Sequence, residues 1–127
     1  MLQEISSSNA PKAIGPYSQA IKAGELLFIS GQIPLNAKGE IAGANAGEQA
    51  RQCLSNLREI LAAAGASTRD VVKTTIYLTD LSAFADVNAV YSEFFEKPFP
   101  ARATVQVAAL PKGALVEIEA IAVVKDG

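Results

Sequence analysis

Apolar residues recur every three to four positions in two segments of the chain, which is the spacing of one face of a helix. In the first segment Asn45 can cap the helix and Gly65 can end it, after about five turns. The second segment begins at Phe84 and ends before Pro98, because proline cannot continue a helix. The apolar positions are Ala50, Cys53, Leu54, Leu57, Ile60, Leu61 and Ala64, and then Phe84, Val87, Val90 or Tyr91, Phe94 and Phe95.

Runs rich in apolar and β-branched residues predict the strands. The predicted strands cover residues 17–22 and 25–30, which form a hairpin around Ala23-Gly24, then 71–79, 101–108 and 116–125. Residues 6–15 and 36–47 are predicted loops, the second with a short strand near 40–41, and residues 111–113 form a loop between the last two strands. This order predicts an α+β fold: a mixed sheet with two helices packed on one face, in a single domain over residues 1–127.

The last strand carries apolar residues on both sides. One row holds Val116, Ile118, Ala120, Ala122 and Val124, and the other holds Ile121 and Val123 beside Glu117 and Glu119. Two helices cover one face, so the second face needs another cover. A second copy of the chain is the favoured cover, and a loop folded across the face is the alternative.

Composition removes several classes of chemistry. The chain has no His and one cysteine, which excludes Ser-His-Asp and Cys-His nucleophiles, His-ligated zinc and a four-cysteine zinc site. A net charge of −2 without a Lys/Arg cluster gives no reason to expect nucleic acid as the main ligand. We expect no metal, no cofactor and no membrane partner. The cytoplasm is the expected location, because no disulfide within the chain is possible and the N-terminal residues do not resemble a secretory signal.

Arg102 lies at the start of a predicted apolar strand and shares a face with Thr104 and Gln106. It is either a clamp for a carboxylate or phosphate, or a structural arginine that faces solvent or a salt bridge. If the last two strands pair as a hairpin, Glu117 and Glu119 share that face. They would then suit general acid–base chemistry; the alternative is an ordinary solvated row.

Four other residues are open to two interpretations each. Gly31 after Ser30 could let a backbone N–H approach a ligand, or could simply permit a turn. Tyr17 could orient a ligand or cover the core, and Asn88 is either an exposed amide or one that faces a cleft. Cys53 lies on the apolar helix face without a His to activate it, which favours core packing over catalysis.

Three blocks of the sequence together resemble the RidA-like branch of the Rid family. The first comprises residues 13–20 (AIGPYSQA) and 28–34 (FISGQIP), and the second 71–78 (VVKTTIYL) and 84–88 (FADVN). The third comprises residues 100–105 (PARATV), 110–113 (LPKG) and 116–122 (VEIEAIA). The blocks occur in the family's order and cover nearly the whole chain.

This resemblance implies a chorismate-mutase-like fold and a homotrimer with ligand clefts between neighbouring subunits. It also implies hydrolysis of reactive 2-imino acids or their enamine tautomers, such as 2-iminobutanoate and 2-iminopropanoate, to 2-oxo acids and ammonia. Such a reaction needs no metal, because an imine is already electrophilic and placing it against water supplies most of the catalysis.

The resemblance also implies roles for individual residues. Arg102 would bind the substrate carboxylate, and Glu117 would place or activate the attacking water. Ser30, the backbone of Gly31, Tyr17 and Asn88 would line or shape the cleft. Thr104 stands where many relatives carry a cysteine, and its hydroxyl can still bond a ligand. Residues 96–101 form a short connection to Arg102, which would alter the cleft rim.

Two other functions compete with the deaminase. One is a non-catalytic, regulatory binder of 2-oxo acids or other carboxylate metabolites. The other is an RNA-directed role, since relatives have been labelled ribonucleases or translation inhibitors. The absence of His and of a basic patch makes this second alternative the weaker one.

Overall fold

Within residues 2–125 the sheet has six strands in the order β1-β2-β3-β6-β4-β5, and two α-helices accompany it. This architecture comes from a computed structural model that describes residues 2–125. The strands are β1 Leu2–Ile5, β2 Ala20–Ala23, β3 Leu26–Gln32, β4 Val71–Leu78, β5 Ala101–Gln106 and β6 Val116–Val123; the helices are α1 Ala46–Ala63 and α2 Phe84–Phe94. The predicted α+β fold is confirmed.

Both helices lie close to their predicted bounds, and α1 shows why. The side chain of Asn45 accepts a hydrogen bond of 2.9 Å from the backbone N–H of Glu48 and so caps the N-terminus. After Ala64 the chain leaves the helix at Gly65, whose φ of +76° lies in the left-handed region that glycine tolerates. The apolar stripe of α1 packs on β3, β6 and α2, and no helix within residues 2–125 is long and apolar enough to cross a membrane.

The order of the last strands differs from the hairpin considered above. β5 pairs with β4 in parallel, whereas β6 lies between β3 and β4 and is antiparallel to both. Parallel neighbours need a long crossover, and α2 is that crossover between β4 and β5. The chain then passes from β5 to β6 on the far side of β4, so Arg102 and Glu117 are not on adjacent strands.

The N-terminal region was only partly predicted. β1 pairs antiparallel with β2, but its first three residues are exposed and its pattern contains no alternation to detect. The predicted loop after it is ordered by buried Gln19, whose side-chain amide accepts from the N–H of Ser7 and donates to the carbonyls of Ser7 and Pro11. β2 therefore begins at Ala20, three residues later than predicted.

The core lies between the sheet and the helices. In β6 the residues from Val116 to Ala122 alternate between buried and half-buried, and the buried row faces the helices. On the opposite side, hereafter the open face, Leu26, Phe28 and Val105 remain 42%, 44% and 41% exposed. A loop folded across the open face is therefore not what the described residues show.

Candidate functional site

A cavity of about 370 Å³ opens on the open face and is hereafter the Glu117 cavity. Its lining combines three apolar residues with four of the predicted site residues. The apolar residues are Ile14, Ile33 and Pro111, and the predicted site residues are Tyr17, Ser30, Gly31 and Glu117. Apolar walls around a few polar groups are typical of small-molecule sites. The sequence resemblance did not single out Ile14, Ile33 or Pro111 as site residues.

A β-bulge in β3 shapes one side of this cavity. Ile29 pairs with Ala120 and Gln32 with Ile118, so β3 advances three residues while β6 advances two. Ser30 and Gly31 occupy the bulge, a device that redirects the backbone beside functional sites. The hydroxyl of Ser30 donates to the carbonyl of Ser18 at 2.6 Å, which ties the preceding loop to the cavity wall.

Glu117 is the half-buried carboxylate of the cavity. Its pKa is raised above the usual value, mainly because burial penalises the charged form and secondarily because the negative charge of Glu119 lies nearby. Glu119 itself accepts a hydrogen bond of 3.2 Å from the hydroxyl of Tyr77. A carboxyl group with a raised pKa in an apolar cavity suits general acid–base work near neutral pH.

A second depression, of about 270 Å³, lies on the helix side of the sheet and is hereafter the Arg102 groove. Arg102 shares its lining with Asn88, Tyr91, Ser92, Phe99 and Pro100. Asn88 therefore faces the groove, which resolves the two interpretations of its amide in favour of a cleft position.

Two aromatic rings of α2 hold Arg102. Its guanidinium carbon lies 5.0 Å from the ring centre of Tyr91 and 5.4 Å from that of Phe84. The hydroxyl of Tyr91 is fixed in turn by a 2.7 Å hydrogen bond with the hydroxyl of Thr74. Among residues 2–125 no carboxylate pairs with Arg102, so the salt-bridged structural alternative does not describe it. In the sequence Phe84 and Tyr91 stand only as members of the apolar face of a helix, and periodicity alone does not show that they support an arginine.

Arg102 and Glu117 lie on opposite faces of the sheet, which corrects the expectation that they share one. Arg102 stands beside Thr74 on β4, and Glu117 stands beside Tyr77 on the same strand. Thr74 and Tyr77 are three residues apart, and an odd separation on a strand directs side chains to opposite faces. The chain thus brings together Tyr17, Ser30, Gly31 and Glu117 at one site, and Asn88 and Arg102 at the other.

Thr104 lies on the same face of β5 as Arg102, and its hydroxyl is unusual because it is buried without a hydrogen-bond partner among the described residues. An unsatisfied buried hydroxyl costs about 1–3 kcal/mol, whereas an apolar group of the same shape removes that cost.

We therefore expect Thr104→Val to raise the free energy of unfolding by about 1 kcal/mol, measured by urea denaturation. Thr74→Val is the matched control, because it makes the same change on the neighbouring strand but leaves the hydroxyl of Tyr91 without its partner. The control should lose about 1–3 kcal/mol. Equal destabilisation by both variants would show that the Thr104 hydroxyl is satisfied in solution.

Neither a reactive cysteine nor a metal site is found outside the two cavities in the described part of the chain. Cys53 is fully buried, its thiol lies 3.6 Å from the carbonyl oxygen of Val116, and burial raises its pKa, which fits the predicted packing role. Residues 2–125 contain no group of three or more His, Cys, Asp or Glu side chains placed to hold a metal ion.

Comparisons with known proteins agree on one family. A family model described as endoribonuclease L-PSP matches residues 7–124. The RutC family protein y4sK of Sinorhizobium fredii is 60% identical over 122 residues, which cover 95% of this chain and 97% of that protein. The 2-iminobutanoate/2-iminopropanoate deaminase of Escherichia coli is 49% identical over 126 residues, or 97% and 98% of the two chains. The crystal structure of RidA from an Antarctic Psychrobacter matches with a TM-score of 0.92 at 47% identity, over 96% of this chain and 99% of that one.

Proposed function

Because this chain belongs to the Rid family, whose shared model is described as endoribonuclease L-PSP, we propose that it hydrolyses 2-imino acids and their enamine tautomers to 2-oxo acids and ammonia. The observation that carries the proposal is Arg102, a guanidinium without a carboxylate partner among residues 2–125, presented on an aromatic support in a groove. A planar guanidinium binds a carboxylate through two parallel hydrogen bonds. Small substrates such as 2-iminobutanoate and 2-iminopropanoate carry that carboxylate next to the reacting carbon.

The working site, in this proposal, is shared between copies of the chain. Arg102 and Glu117 lie on opposite faces, so one chain cannot place both groups on the same small substrate. Arg102 lies on β5, an edge strand from which it can reach a neighbour, and the open face that carries Glu117 also exposes apolar side chains. A homotrimer in which the open face of one copy meets the Arg102 groove of the next would cover that face and complete each site.

The reaction then needs few groups. Arg102 holds the carboxylate, so the imine carbon is fixed against a water beside Glu117. The water oxygen bonds to the imine carbon, Glu117 accepts the proton from the water, and it returns a proton to the nitrogen. Glu117 next accepts the proton of the new hydroxyl group and passes it to the amino group, so that the carbon–nitrogen bond breaks, ammonia leaves, and the oxygen forms the carbonyl of the 2-oxo acid. Asn88 and Tyr17 shape the two sides of the cleft.

The negative charge of Glu119 should set part of the pH dependence. It raises the pKa of Glu117, so Glu119→Gln should lower that pKa. Glu117 acts as a base only when ionised, so activity is lost as the pH falls through its pKa. We therefore expect the acidic limb of the kcat/KM profile to move to lower pH in this variant. Glu25→Gln, in the turn between β2 and β3, should leave the limb in place. An acidic limb that stays or moves upward in Glu119→Gln would contradict the assignment.

The proposed activity is tested by generating imines in situ from amino acids with an amino-acid oxidase or a dehydratase. Added protein should accelerate imine loss and 2-oxo acid formation. Saturable binding of 2-oxo acids without any acceleration would favour the non-catalytic binder instead.

An RNA-directed activity remains the weaker candidate despite the family description. The net charge is −2, and Glu117 and Glu119 lie side by side on the open face, where they would repel a phosphate backbone. RNA cleavage that survives Arg102→Ala would be needed to support it.

A further inference from the structure

We infer that Gly31 is a positioning residue for Glu117: the space left by its missing side chain is the seat of the Glu117 carboxylate. The effect on catalysis that we infer rests on the proposed function, whereas the position of the Glu117 carboxylate over Gly31 follows from the distances between the two residues alone. It differs from the backbone role that the family resemblance implies for Gly31, because it concerns what a side chain at residue 31 would displace.

The first support is the space above Gly31. A Cβ atom built on its backbone would collide with Oε2 of Glu117 and would lie 2.8 Å from Cδ and 3.1 Å from Cγ of the same side chain. All three nearest atoms belong to Glu117. The outer half of the glutamate side chain therefore occupies the volume that any larger residue at position 31 would need.

The second support is the backbone of Gly31, which does not itself require glycine. Five of the glycines in residues 2–125 have positive φ, at positions 24, 39, 43, 65 and 113, but Gly31 does not. A turn or a strained conformation therefore does not explain this glycine. The close approach of Glu117 does.

The third support is the absence of other restraints on the carboxylate. Among the described residues no donor forms a hydrogen bond with Glu117, and the hydroxyl of Tyr77, its neighbour on β4, is committed to Glu119. The bulge at Ser30 and Gly31 lies on the β3 side. The position of the carboxylate is thus set by shape, between β4 and the bulge.

A methyl group at residue 31 should push the carboxylate away without unfolding the chain, because the far end of a glutamate is flexible. A misplacement of about 1 Å in a catalytic group can cost about 10²-fold in rate. We expect Gly31→Ala to lower kcat by about 10²-fold and to change KM little, since in the proposed site Arg102 of a neighbouring copy binds the substrate carboxylate.

The experiment is a double-mutant cycle with Glu117→Asp, which withdraws the carboxylate by one methylene group and so removes the atom at the Oε2 position, where the collision with the added methyl is most severe. If the space over Gly31 positions the Glu117 carboxylate, Gly31→Ala lowers kcat by a much smaller factor in the Glu117→Asp background than in the wild type. Gly47→Ala is the matched control: this glycine also lacks positive φ, and the nearest atom of the described residues lies 3.5 Å from its added Cβ. Its kinetics should equal those of the wild type.

A second readout separates this inference from the proposed function. The carboxyl carbon of Glu117 is followed by NMR as the pH is changed, in the wild type, Gly31→Ala and Gly47→Ala. A changed titration in Gly31→Ala alone supports the seat, even if no variant hydrolyses imines, a result that would overturn only the proposed function. An unchanged titration overturns the seat, as does a kcat loss of equal size in both backgrounds of the cycle.

Discussion

Replacing Arg102 by alanine is expected to lower kcat/KM for imine hydrolysis by about 30- to 5000-fold, since loss of one partner from a buried charged pair costs about 2–5 kcal/mol. The substrate carboxylate loses its bidentate partner, and among residues 2–125 no other cation lines the Arg102 groove. The measurement is the rate of 2-oxo acid formation from imines generated in situ. Arg102→Lys should recover only part of the loss, because an ammonium lacks the planar pair of donors and stacks less well on Tyr91 and Phe84.

Arg58 provides the control for this variant. Its guanidinium carbon also lies 5.0 Å from the centre of an aromatic ring, that of Phe94, but it projects from the outer surface of α1. Arg58→Ala therefore removes a comparable cation–π contact away from both cavities and should keep full activity. Full activity in Arg102→Ala would show that Arg102 does not bind the substrate carboxylate.

Replacing Glu117 by glutamine should lower kcat by about 10²- to 10⁴-fold, the usual contribution of a general acid–base group. Glutamine has nearly the same shape, so it fits over Gly31 and preserves the cavity, but its amide cannot accept the proton of the attacking water. KM should change little, because Arg102 still binds the carboxylate. The loss is measured in the same assay, across the pH range used for Glu119→Gln.

The control for this loss is Glu59→Gln on α1, which removes a carboxylate from the helix layer and should leave kcat unchanged. A Glu117→Gln variant with wild-type kcat would show that water is activated elsewhere.

Local signals in the sequence predicted the helices and the core well. The cap at Asn45 and the left-handed Gly65 define α1 because both act within a few residues of the helix ends. The alternation in β6 identified its buried row because the period of a strand is fixed at two. Neither the family nor the roles of the candidate site residues follow from these local signals; both come from the resemblance of three sequence blocks to the Rid family.

Long-range pairing could not be predicted in the same way. Nothing in residues 101–106 states that they pair with β4 rather than β6; that choice depends on α2 as a crossover. The separation of Arg102 from Glu117 follows from this choice, and the proposal of a site shared between two copies rests on that separation. The bulge at Ser30 and Gly31 could not be predicted from the sequence either, because it is defined only by the pairing register between β3 and β6.

The central claim is that Arg102 of one copy works with Glu117 of another, and mixing two inactive variants tests it most directly. Arg102→Ala and Glu117→Gln are unfolded together in equal amounts and refolded, so that mixed oligomers form. A site that takes its arginine from one chain and its glutamate from another is then intact in about a quarter of cases, and activity should return to about that fraction of the wild type. Each variant refolded alone should remain inactive. If the mixture also stays inactive while mass measurement shows that mixed oligomers have formed, the shared site is contradicted.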